Sequence, residues 1–564
     1  MKNILIKTLS VILVTFIASG CVKETFPAGG TLTTGQLESS ELSLDYMLNG
    51  IPAAMMTSVT AGYASTYGYH ADFGIAAIHL MTEAMLEDLT VSGELGYWWF
   101  GAFTQNLSQG ADYIYCAYFW DCYYAWIKLA NDIIGKIGEV TDDTDPSTVS
   151  LLGQAYAYRA MFYLDLARLY EPKQNKILPI SADIEGLTVP IITEATTEED
   201  AFENPRASRE DMYEFILSDL ETAIGYLDAA DKTYTRPTVA AVYGLMARAY
   251  LELGAPDDEV RNKEAYRKAA KYAELAISTS GKTPLTAAQW LDPKTGFNDG
   301  SANNSWIWGL SLSVENASNI ISNISHIASE AVWGYSVLSL PSINKALYDR
   351  IDINDFRKQS FLDPDYTWDH MLDRGGKYTE NHGYKFAGST DANDYFIYYA
   401  APYVNIKFRP ADGECIDYTV GNCADHVLMR VEEMHFIKIE AALYAEGLDA
   451  AKKLLNEFVQ TYRYRSYDCS HINSIEAFVQ EMLLQKRIEF WGEGILMYDY
   501  KRLNQGITRG YSGTNFPAVA RFNTDGRSPQ WNVVITRTEY QSNRGINQSL
   551  NNPDPTQKLT IWSE

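Results

Sequence analysis

The sequence predicts a mostly α-helical protein: tetratricopeptide-like helix pairs forming a scaffold, with a long loop-rich insertion carrying a few short strands. Three features of the chain predict this. Residues 151–170 place Tyr156, Ala160, Tyr163, Ala167 and Tyr170 at helical steps of four and three, a large-and-small stripe that admits a neighbouring helix at close range. Paired helical stretches recur at 240–253 with 264–278, and at 432–446 with 449–462, as in repeat scaffolds. Between those pairs, 280–426 lacks a helical period for most of its length.

In chain order, Lys2 and Lys7 flank and interrupt an apolar run from Ile4 to Ala18, shorter than the ~20 residues a spanning helix needs. It ends Ala18-Ser19-Gly20-Cys21, which resembles a lipoprotein signal with Cys21 as the lipidated first residue; a plain secretory peptide is the alternative. Val22 to about Leu37 reads as a polar tether. The segment 72–89 offers Ile75, Ile78, Met85 and Leu89 as a core stripe, and Tyr97-Trp98-Trp99-Phe100 follows it. Four consecutive rings cannot all face one core from a single element, so at least one of Tyr97, Trp98 and Trp99 is expected at the surface. The next helix, 118–137, partners 151–170 and carries Trp120, Tyr123, Ile127 and Asn131.

Pro172 to Pro205 reads as a loop. Pro237-Thr238 opens the 240–253 helix and Gly254 stops it. Ala265, Ala269, Tyr272 and Ala276 stripe its partner, and Gly447 breaks the later pair. With about four pairs, none able to bury its face alone, stacking into a right-handed scaffold is expected. Within 280–426, Trp306-Ile307-Trp308-Gly309-Leu310 alternates like a strand, so those two tryptophans belong to the core. Trp333, Tyr335, Trp368 and Tyr399 lie beside Gly, Pro, Asp or Asn, where loops carry function. Pro553 to Glu564 reads as a peripheral tail.

The stretch 475–505 organises the rest. Ser474 suits a helix start, and Leu484, Ile488, Trp491 and Ile495 share one face. Gly492 and Gly494 bracket Glu493 where the chain turns, and a second short helix follows. Arg487, Glu489, Glu493, Asp499 and Arg502 among large apolar neighbours predict a paired, partly buried ion network pinning two helices, not a catalytic centre.

Composition narrows the function. The chain of 564 residues, 46% hydrophobic and 21% charged, is globular. Its 46 basic and 72 acidic residues give −26 with no basic run, which argues against nucleic acid and anionic membrane surfaces as partners. Aromatic content of 13%, with 39 Tyr and 12 Trp, is high; most of these rings are expected to pack, and any beyond what a core needs suit stacking on the apolar faces of sugars. Walker A, GxGxxG, Gly-x-Ser-x-Gly, CxxC and HExxH motifs are missing. Asp292-x-Lys294-x-Gly296-x-Asn298-Asp299-Gly300 partly matches a calcium loop, but Lys holds the second ligand position and the closing Glu is absent; a turn-rich loop fits better, and no cofactor or metal is expected. Cys415 and Cys423 bracket a loop that a disulfide could close, whereas Cys116 and Cys122 point to different faces of one helix.

The order Lys486-Arg487-x-Glu489-Phe490-x-x-Glu493-Gly494, then Asp499-Tyr500-Lys501-Arg502, resembles the C-terminal signature of the SusD/RagB family, surface nutrient-binding lipoproteins of the Bacteroidetes. The Trp120 to Asn131 run, the 432–462 pair with Leu455-Asn456, and 539–551 resemble the same family. The resemblance implies a signal peptide at 1–20, a lipidated tether at 21–37, and one domain at 38–564 whose insertion, about 280–426, builds the ligand surface. It also implies a non-enzymatic outer-membrane protein that captures a glycan and passes it to a SusC-like TonB-dependent transporter. A peptide ligand of the RagB type, a glycoside hydrolase and a purely structural scaffold are the alternatives. Trp98 and Trp99 are the foremost binding residues, with Tyr97 able to replace either, Asp88 as an acceptor for hydroxyls, and Trp333, Tyr335, Trp368 and Tyr399 behind them.

Overall fold

Several of the long helices begin where the sequence supplies a cap. In the computed structural model, which describes residues 43–56, 71–91, 100–314, 317, 321–331, 333–364, 377–378, 384–385 and 402–564, Asp145 caps Pro146–Tyr170, Thr238 caps Val239–Gly254, Asn262 caps Lys263–Ser280, and Ser474 caps Ile475–Glu489. Leu48–Glu564 form one compact unit; of the unit before it, only Ser43–Met47, helical, is described. Among the described residues no helix is long and apolar enough to cross a membrane.

The scaffold is a succession of neighbours. Ile114–Ile137 packs on the 146–170 helix, which packs on Arg209–Tyr226, then 239–254, then 263–280. The 263–280 helix lies directly against Val431–Ala445, which leads through Leu448–Tyr462 to 475–489. Helix pairs of tetratricopeptide type thus carry the fold, and the intervening segment leaves from one helix and returns to its neighbour.

One helix of this stack was not expected. Arg209–Tyr226 is capped by Ser208 and buries Met212, Tyr213, Ile216, Leu220 and Ala223. The 146–170 helix therefore has a partner on each side, and the pairing with 114–137 alone is incomplete. Arg159, buried, joins the two by a bidentate pair with Asp219 (2.7 and 2.9 Å) and reaches Asn131 on the 114–137 helix at 2.8 Å.

Trp306–Leu310 pairs antiparallel with His426–Arg430, and both strands are buried along their length. Trp306 and Trp308 are core residues, as their alternation predicts. A smaller ladder joins Leu89–Thr90 to Ser342–Ile343.

The predicted ion network is present and larger than the stretch that revealed it. Glu489 receives Arg463 (2.6 and 2.7 Å), Arg430 (2.8 Å) and Arg357 (2.8 Å). Glu493 takes a bidentate pair from Arg430 (2.8 and 2.9 Å) and the Lys407 ammonium (2.6 Å). Arg502, on Leu496–Arg502, meets Glu440, Glu252 and Asp499, while Lys486 pairs with Asp499. Burial opposes ionisation at Glu489, but Arg463, Arg430 and Arg357 outweigh it and hold the carboxyl well below the usual carboxylate range. Gly492 and Gly494 have φ of +76° and +73°, which permits the turn between the two helices.

The last residues are docked, contrary to their reading as a peripheral tail. Asn106 donates its side-chain amide to the Pro555 carbonyl (2.8 Å), and its carbonyl accepts from Gln557 (2.8 Å). Trp562 donates its backbone N–H to Arg521 (2.7 Å).

Candidate ligand-binding site

A histidine orders the aromatic face of the insertion. Ser322 caps Asn323–Ile327, and the buried His326 ring makes a 3.0 Å hydrogen bond with the Ser322 carbonyl through Nδ1. Its ring stacks between Phe73 (4.9 Å, 23°) and Tyr335 (4.9 Å, 26°), and Phe100 meets it edge-on (5.2 Å, 83°). Phe100, the residue that follows Tyr97-Trp98-Trp99 in the sequence, meets the insertion at this stack.

Tyr335 is half-buried and its N–H donates to the Ser325 carbonyl at 2.7 Å. Gly334 makes that approach possible: φ is +87°, and a Cβ there would stand 2.7 Å from the same carbonyl oxygen. Trp333 is 8% exposed, its indole seated against Gly421, where a Cβ would lie 2.7 Å from the ring. Gly421 closes Tyr418–Gly421, a turn of helix capped by Asp417, whose carboxylate accepts from Thr419 N at 2.9 Å. Asn422 ties this loop to an earlier part of the insertion through the Ala317 carbonyl (2.5 Å) and Ser322. The loop presents Ile416, Tyr418 (39% exposed) and Val420 outward, and Ser336–Ser339 presents Leu338 (48% exposed). The result is a shelf: a rigid aromatic base with partly exposed apolar and aromatic side chains at its edge.

Of the residues the sequence singled out, Tyr335 lies half-buried on this shelf, whereas Trp333, expected at the surface, is buried beneath the 418–421 turn and offers no ring face to a ligand. Tyr97, Trp98, Trp99, Trp368 and Tyr399 lie outside the described residues, as does Cys21. Asp88 is a correction. It is fully buried and grips Arg487 (2.6, 2.9 and 3.1 Å), while its carbonyl accepts from Trp491 Nε1 (2.9 Å) and Asn344 N (2.9 Å). Both carboxylate oxygens are committed to a guanidinium, so Asp88 anchors the 475–489 helix and cannot accept from a ligand. Cys415 and Cys423 are thiols, their Sγ atoms 3.6 Å from the Gly413 carbonyl and 3.4 Å from the Thr419 carbonyl. The 292–300 loop is built of Asx turns: Asp292 accepts from Lys294 N (2.8 Å) and Thr295 N (2.9 Å), and Asp299 from Ser301 N (2.8 Å). Among the described residues no group of three or more His, Cys, Asp and Glu converges as metal ligands would.

Residues 55–251 match a family model, SusD-like_3, described as starch-binding associating with outer membrane. Residues 266–559, more than half the chain, match SusD_RagB, described as the SusD family. The chain belongs to the SusD family. Solved structures share the SusD fold. A SusD-like carbohydrate binding protein from Bacteroides vulgatus is 21% identical with a TM-score of 0.66, over 90% of this chain and 97% of that one. A SusD superfamily protein from Bacteroides thetaiotaomicron is 18% identical with a TM-score of 0.65, over 90% and 99% of the two chains. Surface glycan-binding protein A from Bacteroides thetaiotaomicron, solved in complex with laminarihexaose, is 16% identical with a TM-score of 0.60, over 91% and 99%. No curated protein gave a significant match.

Within this SusD-family fold, His326, Leu338 and Tyr418 were not read from the sequence. His326 sits in the short motif Ser322-x-x-x-His326, which gives no period to follow, and Tyr418 lies in the loop read only for its cysteines.

Proposed function

We propose that the protein is a surface-exposed, lipid-anchored outer-membrane component that binds a glycan and delivers it, without turnover, to a SusC-like TonB-dependent transporter. Residues 1–20 act as the lipoprotein signal, Cys21 carries the lipid, 21–37 form the tether, and 38–564 form the binding domain with its insertion at about 280–426. The observation that carries the reading is the shelf of Tyr335, Leu338 and Tyr418 on a base shared with Phe100. Exposed rings held by a rigid base stack on the C–H faces of sugars with little ordering cost. The laminarihexaose complex of a protein with the same fold supports a carbohydrate as the ligand.

Trp98 and Trp99 complete the surface in this reading, with Tyr97, Trp368 and Tyr399 as further rings. The test is a glycan array with the mature protein, followed by single Trp98→Ala and Trp99→Ala variants assayed for affinity and melting temperature. A binding ring loses affinity while the melting temperature barely moves. A loss of about 3–5 kcal/mol of stability, the cost of truncating a buried Trp, would make the ring a core residue instead. An array that stays blank while a peptide library binds would move the protein to the RagB type.

A further inference from the structure

A second cleft, of about 590 Å³, opens between the 114–137 helix, the 190–202 segment and Arg537–Ser542, and it shares no lining residue with the shelf. That volume lies in the range of small-molecule sites. Its aromatic lining is Trp120 and Tyr124, with rings 4.7 Å apart at 36°, and Phe202, which is 51% exposed.

The walls are fixed without a ligand. The Tyr124 hydroxyl donates to the Pro190 carbonyl at 2.7 Å. Ile192 donates its N–H to the Tyr163 hydroxyl (2.7 Å), and its carbonyl accepts from Asn131 Nδ2 (2.9 Å). A capping box between Thr197 and Asp200 sets the turn of helix before Phe202, and the Phe202 carbonyl accepts from Arg544 N at 2.6 Å. Three carboxylates line the cleft, Asp121, Glu198 and Glu539, and none of the lining residues is cationic. Glu539 already accepts from Asn543 Nδ2 (2.9 Å) and from the Trp120 indole, which orients it.

We propose that this cleft is a second carbohydrate subsite, taking a short run of uncharged pyranose units with a ring face on Phe202 and Tyr124 and hydroxyls donating to Glu198 and Glu539. Rings supply apolar faces, carboxylates supply acceptors, and the absence of a cation from the lining disfavours uronates and sulfated or phosphorylated sugars. The inference rests on the glycan reading of the shelf but occupies a different place. Two subsites on one protein raise the affinity for a chain long enough to reach both.

Crystals of the mature protein are soaked separately with maltohexaose, laminarihexaose, xylohexaose and mannohexaose. Density for at least one of them in the cleft, with a ring against Phe202 or Tyr124, is expected. Calorimetry follows in the Trp98→Ala/Trp99→Ala background, where Phe202→Ala should weaken the remaining binding roughly three- to tenfold. Because Phe202 is largely exposed, that variant should keep its melting temperature. A cleft empty with all four sugars overturns the proposal, as does binding at crystal concentration only, or affinity indifferent to Phe202→Ala. Ligand on the shelf but not in the cleft overturns this inference alone; ligand in the cleft but not on the shelf upholds it and removes the shelf reading.

Discussion

At Glu83, two backbone amides and a buried setting pull in opposite directions. Gly492 N (3.1 Å) and Gly494 N (3.2 Å) donate to its carboxyl and favour the ionised form. Burial and the nearby Asp88 charge favour the neutral form, and burial wins: the pKa is pushed up from 4.5 to about 8. An acid whose folded pKa is raised binds a proton in the folded state that the unfolded chain has already lost. Its contribution to stability is therefore full below 4.5 and is lost as pH rises towards about 8. His79 works the other way: burial lowers it from 6.5 to about 3, so its contribution is full above 6.5 and is lost as pH falls. The two effects separate above about pH 7, where unfolded histidine is mostly neutral. Denaturant unfolding between about pH 7 and 8 should show wild-type stability falling with pH more steeply than that of Glu83→Gln. The variant is less stable throughout, since an amide nitrogen then faces a glycine N–H. Parallel slopes would mean that Glu83 is already ionised at neutral pH.

The 146–170 helix makes the element-scale case. Ala160, Tyr163, Ala167 and Tyr170 are fully buried, with neighbouring helices at 114–137 and 209–226. Ala160→Leu adds three carbons where a methyl fits, and should cost about 1–3 kcal/mol, read as a lower denaturant midpoint with an unchanged slope. No change would place this stripe in solvent. What was legible follows from the same physics. Helices with a clean 3.6-residue stripe and a capping residue were readable to within a few positions, and so was the charged cluster at 487–502, because charges among large apolar residues must find partners. The 209–226 helix escaped because Glu210, Asp211, Glu214 and Glu221 crowd its outer face, and the buried Asp219 interrupts its inner one, so the apolar signal is diluted. The partners of the network, Arg357, Lys407, Arg430 and Arg463, were also out of reach, since each is brought to Glu489 or Glu493 by tertiary packing. Asp88 misled for a related reason: a carboxylate beside a presumed binding loop looks available until Arg487, far along the chain, is seen to occupy it.

For the molecule as a whole, the anchoring reading depends on a single atom, the Cys21 sulfur. A Cys21→Ala variant should leave the membrane fraction and appear as an exported species without lipid, by fractionation and mass spectrometry. Unchanged fractionation would sink the lipid anchor while leaving the fold and the shelf untouched.

The helix Ile75–Ala84 and the residues after it find polar mates more than half the chain away. His79 bonds His426, 347 residues on; Glu83 receives Gly494, 411 residues on; and Arg509 caps the carbonyls of Ala84 and Leu86 at 2.8 and 2.7 Å. A polypeptide that emerges from a ribosome or a translocation pore amino end first cannot make the first of these bonds until His426 appears, and cannot make the last until Arg509 does. The 75–86 segment must remain uncommitted until then, and docking it becomes a search over very long loops, the topology that slows folding most. The apolar residues of this segment, Ile75, Ile78, Leu80 and Met81 among them, have no finished core to enter before then, the kind of exposure that holding chaperones limit.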